Sequence, residues 1–311
     1  MVKCLVTGGA GFVGSTLNGY LLSKGHHVTV VDNLLFNNGN SLSFYFKNPN
    51  FRFVKGNVCD KSLMKSILKD KDIIIHLAAI VGAPACERNR DLAISVNLDA
   101  TINMCELLSK DQRILFASTG SNYGAVTGDI CTEETLLNPI SLYGETKTDG
   151  EKWLLDHSNA VAYRFATAFG LSLRMRLDLL INDFVYQAIN NRYLIMFERS
   201  FKRSFIHVDD MARSFLFAIE NHDKVESGAY NIGDEQNNYS KEEIALLIKD
   251  KVDYYLHFAD VGEDKDKRNY EVSYSKFKSL GFKAETSVED GIDQLIKSME
   301  AFEFIHPYRN A

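Results

Sequence analysis

Four prolines, one tryptophan and five cysteines are spread over 311 residues. No internal repeat, low-complexity tract or obvious linker interrupts them, which excludes a fibrous or disordered chain. The cysteines, Cys4, Cys59, Cys86, Cys105 and Cys131, are odd in number and widely spaced, with no Cys-x-x-Cys pair. That pattern excludes a disulfide framework and a zinc-ligand cluster, and fits reduced, mostly buried thiols. No apolar run approaches the roughly 18–20 residues needed to span a bilayer. No signal-peptide pattern follows the first methionine, so a soluble, cytoplasmic protein is expected, with no membrane partner. An excess of positive charge is also missing: 35 Lys+Arg against 41 Asp+Glu leave a net charge of −6. That balance argues against nucleic acid as a partner. Any phosphate-bearing ligand must be held by local groups, against a mildly repulsive overall field.

Hydrophobic residues make up 45% and charged residues 24%, the mix of an ordinary globular protein. At about 150 residues per domain, the length suggests roughly two units. Short apolar runs alternate with amphipathic stretches through the first half. Val2–Thr7, His27–Asp32, Arg52–Lys55, Asp72–His76 and Arg113–Ser118 have the character of strands buried on both faces. Phe12–Lys24, Lys61–Lys69 and Asp91–Leu108 have helical spacing, the first closed by Gly25 and the second opened by Asp60. Repeated strand–helix–strand units predict an α/β fold, a Rossmann-type doubly wound parallel sheet.

After about residue 170 the rhythm changes. An amphipathic segment Arg176–Asn190 precedes a strand Tyr193–Phe197, a loop rich in Arg and Lys, and a strand Ser204–Val208. A helix Asp210–Asn221, a strand Ala229–Gly233, a Ser-capped helix Ser240–Lys251 and a last helix near Val288–Phe302 follow. The expected division is a dinucleotide-binding domain over 1–170 and a smaller α/β substrate lobe over 171–311, some of whose chain returns to the sheet.

The first strand runs straight into Thr7-Gly8-Gly9-Ala10-Gly11-Phe12-Val13-Gly14. Glycines 8, 11 and 14 allow a tight turn, close approach to a pyrophosphate, and close packing of helix on strand. Asp32 stands 18 residues past Gly14, at the end of the second strand, where its carboxylate can hold both ribose hydroxyls of an adenosine. It also repels a 2′-phosphate, and no Arg or Lys lies between Asp32 and Lys47 to attract one. The expected cofactor is NAD. Further on, Tyr143 and Lys147 stand four residues apart on a helix face. A free tyrosine titrates near 10. A neighbouring ammonium and an oxidised nicotinamide would make it a useful base.

With these residues the chain resembles the extended short-chain dehydrogenase/reductases that modify nucleotide sugars. The resemblance rests on Thr7–Gly14, Asp32, Gly56-Asn57-Val58, His76-Leu77-Ala78-Ala79, Asn97, Ser118-Thr119 with Tyr123-Gly124, Tyr143 with Lys147, and Arg203 to Asp210. It implies Thr119, Tyr143 and Lys147 as catalytic residues. It implies cofactor contacts from Gly8, Gly11, Phe12, Val13, Gly14, Asp32, Asn33, Asn57, Val58, Leu77, Ala78, Ala79, Asn97 and Ser118, besides Tyr143 and Lys147. His76 is expected to pack rather than react. For the substrate the expected residues are Thr119, Thr167, Arg176, Arg203 and Arg268, with Thr119 on the reacting sugar oxygen and the arginines on the diphosphate. The basic cluster of Arg174, Arg176, Arg192, Arg199, Lys202 and Arg203 supplies forks for phosphate, with Arg192 and Arg199 read as solvated. A homodimer through helices around Asn97–Leu108 and Tyr143–Leu155 is a further implication.

The chain departs from the family pattern at three places. Asn57 stands where Asp is frequent, and Thr167 where Asn often touches the diphosphate. Gly120 and Ser121 occupy the positions at which sugar 4,6-dehydratases carry an acidic pair, which argues against loss of water. Val81–Cys86 and Arg174–Phe184 resemble a bacterial subgroup that includes a GDP-heptose 4-dehydrogenase of surface-polysaccharide biosynthesis. The expected reaction is NAD-dependent oxidation of a sugar hydroxyl at C4, as epimerase or dehydrogenase, with ketosugar reduction as the alternative. A non-catalytic NAD-binding regulator is the rival from another class; its mark would be decay of Thr119, Tyr143 or Lys147, and all three are present.

Overall fold

Strands without a polar side have no face to give to water, and these build the centre. The computed structural model describes residues 1–124, 130–259 and 271–301. Lys3–Thr7 (β1) leads into Phe12–Ser23 (α1), which ends where Gly25 turns left-handed at φ 76°. His27–Asp32 (β2), a 3-10 segment Gly39–Lys47 and Phe51–Lys55 (β3) follow. Lys61–Leu68 (α2) is capped by Asp60, whose carboxylate accepts the amides of Ser62 and Leu63 at 3.0 Å each. Ile73–His76 (β4) is followed by two short helices, Ala83–Arg88 (α3) and Arg90–Ile94 (α4).

The helix expected over 91–108 runs without a gap from Arg90 to Leu107 and changes its winding midway. Ser95–Asp99 forms a π-helical turn before Ala100–Leu107 (α5). Within that turn stands Asn97, whose amide accepts from Ile80 N at 2.8 Å and donates to Ile80 O at 3.0 Å. Then come Arg113–Thr119 (β5), the 3-10 turn Gly120–Tyr123, Leu142–His157 (α6) and Asn159–Phe165 (β6).

The second half holds Thr167–Phe169 (β7), Leu180–Tyr186 (α7), Tyr193–Met196 (β8), Lys202–His207 (β9) and Val208–Glu220 (α8). Gly228–Ile232 (β10), Asn238–Ser240 (β11) and Lys241–Lys249 (α9) follow, then Tyr255–Phe258 (β12), Ser275–Ser279 (α10) and Val288–Ala301 (α11). The capping box read from Ser240 and Glu243 is complete: Ser240 Oγ accepts Glu243 N at 3.1 Å and Glu243 accepts Ser240 N at 2.6 Å. The amphipathic stretch from Arg176 becomes helical only at Leu180. Residues before it are held by Asn182, fully buried, which bonds Gly170 N at 2.9 Å and the carbonyls of Gly170 and Arg176 at 3.0 Å.

Seven strands, all parallel, lie in the order β10-β6-β5-β4-β1-β2-β3. One face buries Leu17, Leu21, Tyr163 and Phe215 beneath α1 and α8; the other buries Ile74, Met104, Phe116 and Leu154 beneath α5 and α6. A third cluster, with Phe169, Ile181, Leu194, Ile244 and Leu295, forms the core of the remaining strands and helices. The chain leaves β6 for that lobe and comes back to the sheet as β10. Among the described residues, no helix is long and apolar enough to cross a membrane.

Asn182→Ala would strip three buried backbone groups of their partner. We expect a loss of about 2–4 kcal/mol in urea unfolding. A change within experimental error would show that the Gly170–Arg176 segment is held by something else.

Candidate active site

A parallel sheet brings every strand's carboxyl end to one edge, and β1 sits where the winding reverses, between β2 and β4. At that edge a cleft of about 850 Å³ is lined by residues following or ending successive strands. Gly8, Gly11, Phe12, Val13 and Gly14 follow β1; Asp32 ends β2 and Asn33 follows it; Asn57 and Val58 follow β3; Leu77, Ala78 and Ala79 follow β4. Ser118 and Thr119 end β5, and Thr167 follows β6. All of these expected residues are together.

The turn after β1 needs its glycines. Gly8 has φ 68°, and a Cβ there would lie 2.8 Å from the Ala78 backbone; one at Gly14 would lie 2.6 Å from Gly8 O. α1 begins with no capping side chain and no acid in its first turn, leaving its N-terminal amides to an anion. Asp32 accepts Ala10 N at 3.0 Å and Leu34 N at 2.8 Å, which fixes the carboxylate at the far end of the turn. Burial raises its pKa. Glycine cradle, open helix end and fixed carboxylate together fit a dinucleotide.

Ser141 caps α6 through Gly144 N at 3.2 Å and so sets the height at which Tyr143 and Lys147 enter the cleft. Lys147 is 2% exposed, its ammonium 3.7 Å from the centre of the Phe116 ring. Burial pulls it down from 10.5 to about 7, opposed by Glu151 and Cys86. Thr119 Oγ1 accepts Ser121 N at 3.1 Å and donates to Ser121 Oγ at 3.2 Å. His76 is closed off, between the Thr7 hydroxyl at 2.7 Å and the Thr101 hydroxyl at 3.0 Å, with burial holding it neutral at about 3. It packs, as expected.

Two expected cofactor residues give their polar groups to the protein itself. Asn97 does not line the cleft; its amide is used by Ile80 and by the Thr146 hydroxyl at 3.3 Å. It shapes the wall from behind. Ser118 reaches the cleft, but its hydroxyl donates to Glu151 and accepts from Asn122 at 2.9 Å.

On the opposite wall stand Thr167, Arg176 and Arg203, with Arg174 and Lys241. Arg176 is held by Asp178, through Nε at 3.0 Å and Nη2 at 2.8 Å. The Arg174 guanidinium lies 5.0 Å from the Phe36 ring centre, joining two sides of the cleft, a contact no periodicity could announce. Asp178, Asp183, Ile195, Met196 and Phe197 also line the cleft and were not read from the sequence. Arg192 and Arg199 stay outside it, the second paired with Glu242 at 3.4 Å. Arg268 lies outside the described residues. Among the described residues, no group of three His, Cys, Asp or Glu is arranged to hold a metal ion.

Residues 4–233 match the family described as the NAD dependent epimerase/dehydratase family. The low-salt glycan biosynthesis protein Agl12 of Haloferax volcanii is 29% identical over 304 residues, covering 94% of this chain and 96% of that protein. CDP-paratose 2-epimerase of Salmonella typhi is 25% identical over 331 residues, covering 94% and 98%. Among solved structures, UDP-glucuronic acid 4-epimerase from Bacillus cereus, in complex with UDP-glucuronic acid and NAD, superposes with a TM-score of 0.86. It is 25% identical, over 96% of this chain and 99% of that one.

The buried ammonium sets a pH dependence. Between its folded value of about 7 and its ordinary 10.5, the unfolded chain holds a proton the native state has released, so stability rises with pH across that window. Below it the full cost of burying the charge is present. In the cofactor-free protein, Lys147→Met should therefore raise Tm most at pH 6, with the gain gone by about pH 10. A gain that grows with pH would refute the buried-charge account.

Proposed function

The chain belongs to the NAD-dependent epimerase/dehydratase family, within the extended short-chain dehydrogenase/reductases, and from that premise we propose that it oxidises the C4 hydroxyl of a nucleotide-diphosphate hexose or heptose. One observation carries the reading: Thr119, Tyr143 and Lys147 share a single cleft with the glycine cradle and Asp32 on one side and Arg176 and Arg203 on the other.

NAD is the cofactor, and when bound it accepts the hydride and can return it. Gly8–Gly14 would hold its pyrophosphate, Asp32 and Asn33 its adenosine ribose, and Asn57 and Val58 the adenine edge. Leu77–Ala79 would line its middle, while Ser118 backs the nicotinamide side. Tyr143 as phenolate removes the proton from the sugar hydroxyl, and Thr119 holds the same oxygen. Lys147 stabilises the phenolate and binds the nicotinamide ribose. Arg203 and Thr167 face the substrate diphosphate, joined by Arg176, whose Nη1 remains beyond its hold on Asp178.

Neither Gly120 nor Ser121 offers a carboxyl to drive loss of water, which favours plain oxidation and reduction. Return of the hydride to the other face of the rotated ketosugar makes an epimerase; release of the ketosugar makes a dehydrogenase; the reverse makes a reductase. Among relatives, the epimerase names and the glycan-biosynthesis name support a place in sugar building for a surface polysaccharide. The Val81–Cys86 and Arg174–Phe184 stretches support a GDP-heptose in particular. We further place the protein in the cytoplasm as a homodimer through α5 and α6, the latter bearing Trp153 stacked on His157 at 4.3 Å.

The test is incubation with NAD and a panel of GDP-, UDP-, CDP- and dTDP-sugars, followed by NMR of the sugar and NADH absorbance. A C4 epimer without NADH marks an epimerase; ketosugar with stoichiometric NADH marks a dehydrogenase; no conversion of any sugar favours the regulator. Tyr143→Phe should lower turnover by about 10²–10⁴-fold with NAD binding intact, and unchanged turnover would overturn the assignment. Arg203→Ala should weaken sugar-nucleotide binding while sparing NAD in calorimetric titration; equal loss of both would reject its role.

A further inference from the structure

Glu151 stands one helical turn beyond Lys147 and two beyond Tyr143 on α6, and is 1% exposed. Its Oε1 accepts a fork from Arg164 of β6, through Nε at 2.9 Å and Nη2 at 2.6 Å. Its Oε2 accepts from the Ser118 hydroxyl and from Asn122 Nδ2 at 2.9 Å. Arg164 Nη1 continues to the Tyr123 hydroxyl at 3.2 Å, which donates to Asn231 of β10 at 2.6 Å. One carboxylate thus ties together α6, the end of β5, the turn Gly120–Tyr123 and β6. Successive residues of a strand point to opposite faces, so holding the Ser118 side chain inward directs Thr119 the other way.

The same carboxylate bears on Lys147. The titratable groups around that ammonium are Tyr143 and Glu151 on its own helix, Cys86 on α3 and His76 on β4. Burial holds His76 neutral and pushes the Cys86 thiol up to about 11, so neither is an anion at neutral pH. Glu151 is the carboxylate among them.

We propose that Glu151 is a positioning residue of this site: it fixes the β5 corner that presents Thr119, and it is the counter-charge that keeps the Lys147 ammonium in place. The proposal rests on the reading of Tyr143 and Lys147 as a catalytic pair. Glu151 would act through Lys147 and Ser118, without touching substrate. A purely structural ion pair with Arg164 would hold the fold and leave the lysine's protonation alone.

The experiment titrates the NAD-loaded enzyme labelled with [¹³Cε]lysine, the Lys147 signal being assigned by its loss in Lys147→Met. Glu151→Gln should move the Lys147 midpoint down by about one pH unit, and the alkaline limb of the oxidation rate should move with it. Glu151→Asp, which keeps the charge, should restore both. Should the lone Glu151→Gln variant not fold, because Arg164 is left buried without a counter-ion, Glu151→Gln/Arg164→Met carries the same test. Glu151 acts on Lys147 more strongly than Arg164 does, so a smaller shift in the same downward direction is expected there. A lower Tm with the Lys147 midpoint unmoved would overturn the proposal. The lysine titration needs no turnover, so failure of the catalytic reading would appear separately, as Tyr143→Phe retaining activity.

Discussion

Parallel pairing of β1 with β2 on one side and β4 on the other is the constraint on which everything else here depends. Parallel neighbours cannot be joined by tight turns, so each strand must send its chain over a face of the sheet before the next begins. Because the two halves wind away from β1 in opposite directions, the helices part at its carboxyl end and leave a crevice. The residues that follow or end β1 to β6 then meet there without any of them being adjacent in sequence. The glycine turn is the local price of that geometry: α1 starts so close to β1 that a methyl at position 14 would touch the turn's own backbone.

That shared edge also resolves the charge problem of an acidic chain with anionic ligands. Overall charge is felt through water and screened within roughly 10 Å. In the proposed reading, the fields that matter in the crevice are those of α1's open amides and of the arginines that line it. Arg176 arrives already paired with Asp178, which orients its plane while leaving one nitrogen outward. Anion binding is therefore a matter of placement, and a net charge of −6 is compatible with it.

Much of this frame is legible in the residues themselves. Doubly buried strands appear as unbroken apolar runs, and helix ends are marked at Gly25, Asp60 and Ser240 by groups that satisfy or terminate the backbone. The glycine spacing with Asp32, and Tyr143 with Lys147, point to one cleft because strand ends and helix faces have fixed periods. What stays illegible is set by pairing across the fold. Asn97 finds Ile80 across the fold, and the π-turn in which it lies has no mark in the residue pattern. Glu151 and Arg164 are ordinary charges in sequence, and become one buried network only when α6 lies beside β5 and β6. Phe36 meets Arg174 only because two loops close over the same opening.

Lys147 shows why the chemistry and the fold pull against each other. An ammonium with an aromatic ring beneath it and a carboxylate one turn away is held where water would have served it better. With a value of about 7 it stands near the balance between ammonium and amine. A ligand that brings hydroxyl oxygens to that nitrogen binds the ammonium in preference to the amine, because only the charged form offers three donors without competing as an acceptor. In the proposed reading, occupancy and protonation are linked through this one buried side chain, and a Tyr143 phenolate would gain its stabilising charge when the cleft is filled. In that reading a ligand at Lys147 relieves the tension that burying the ammonium creates.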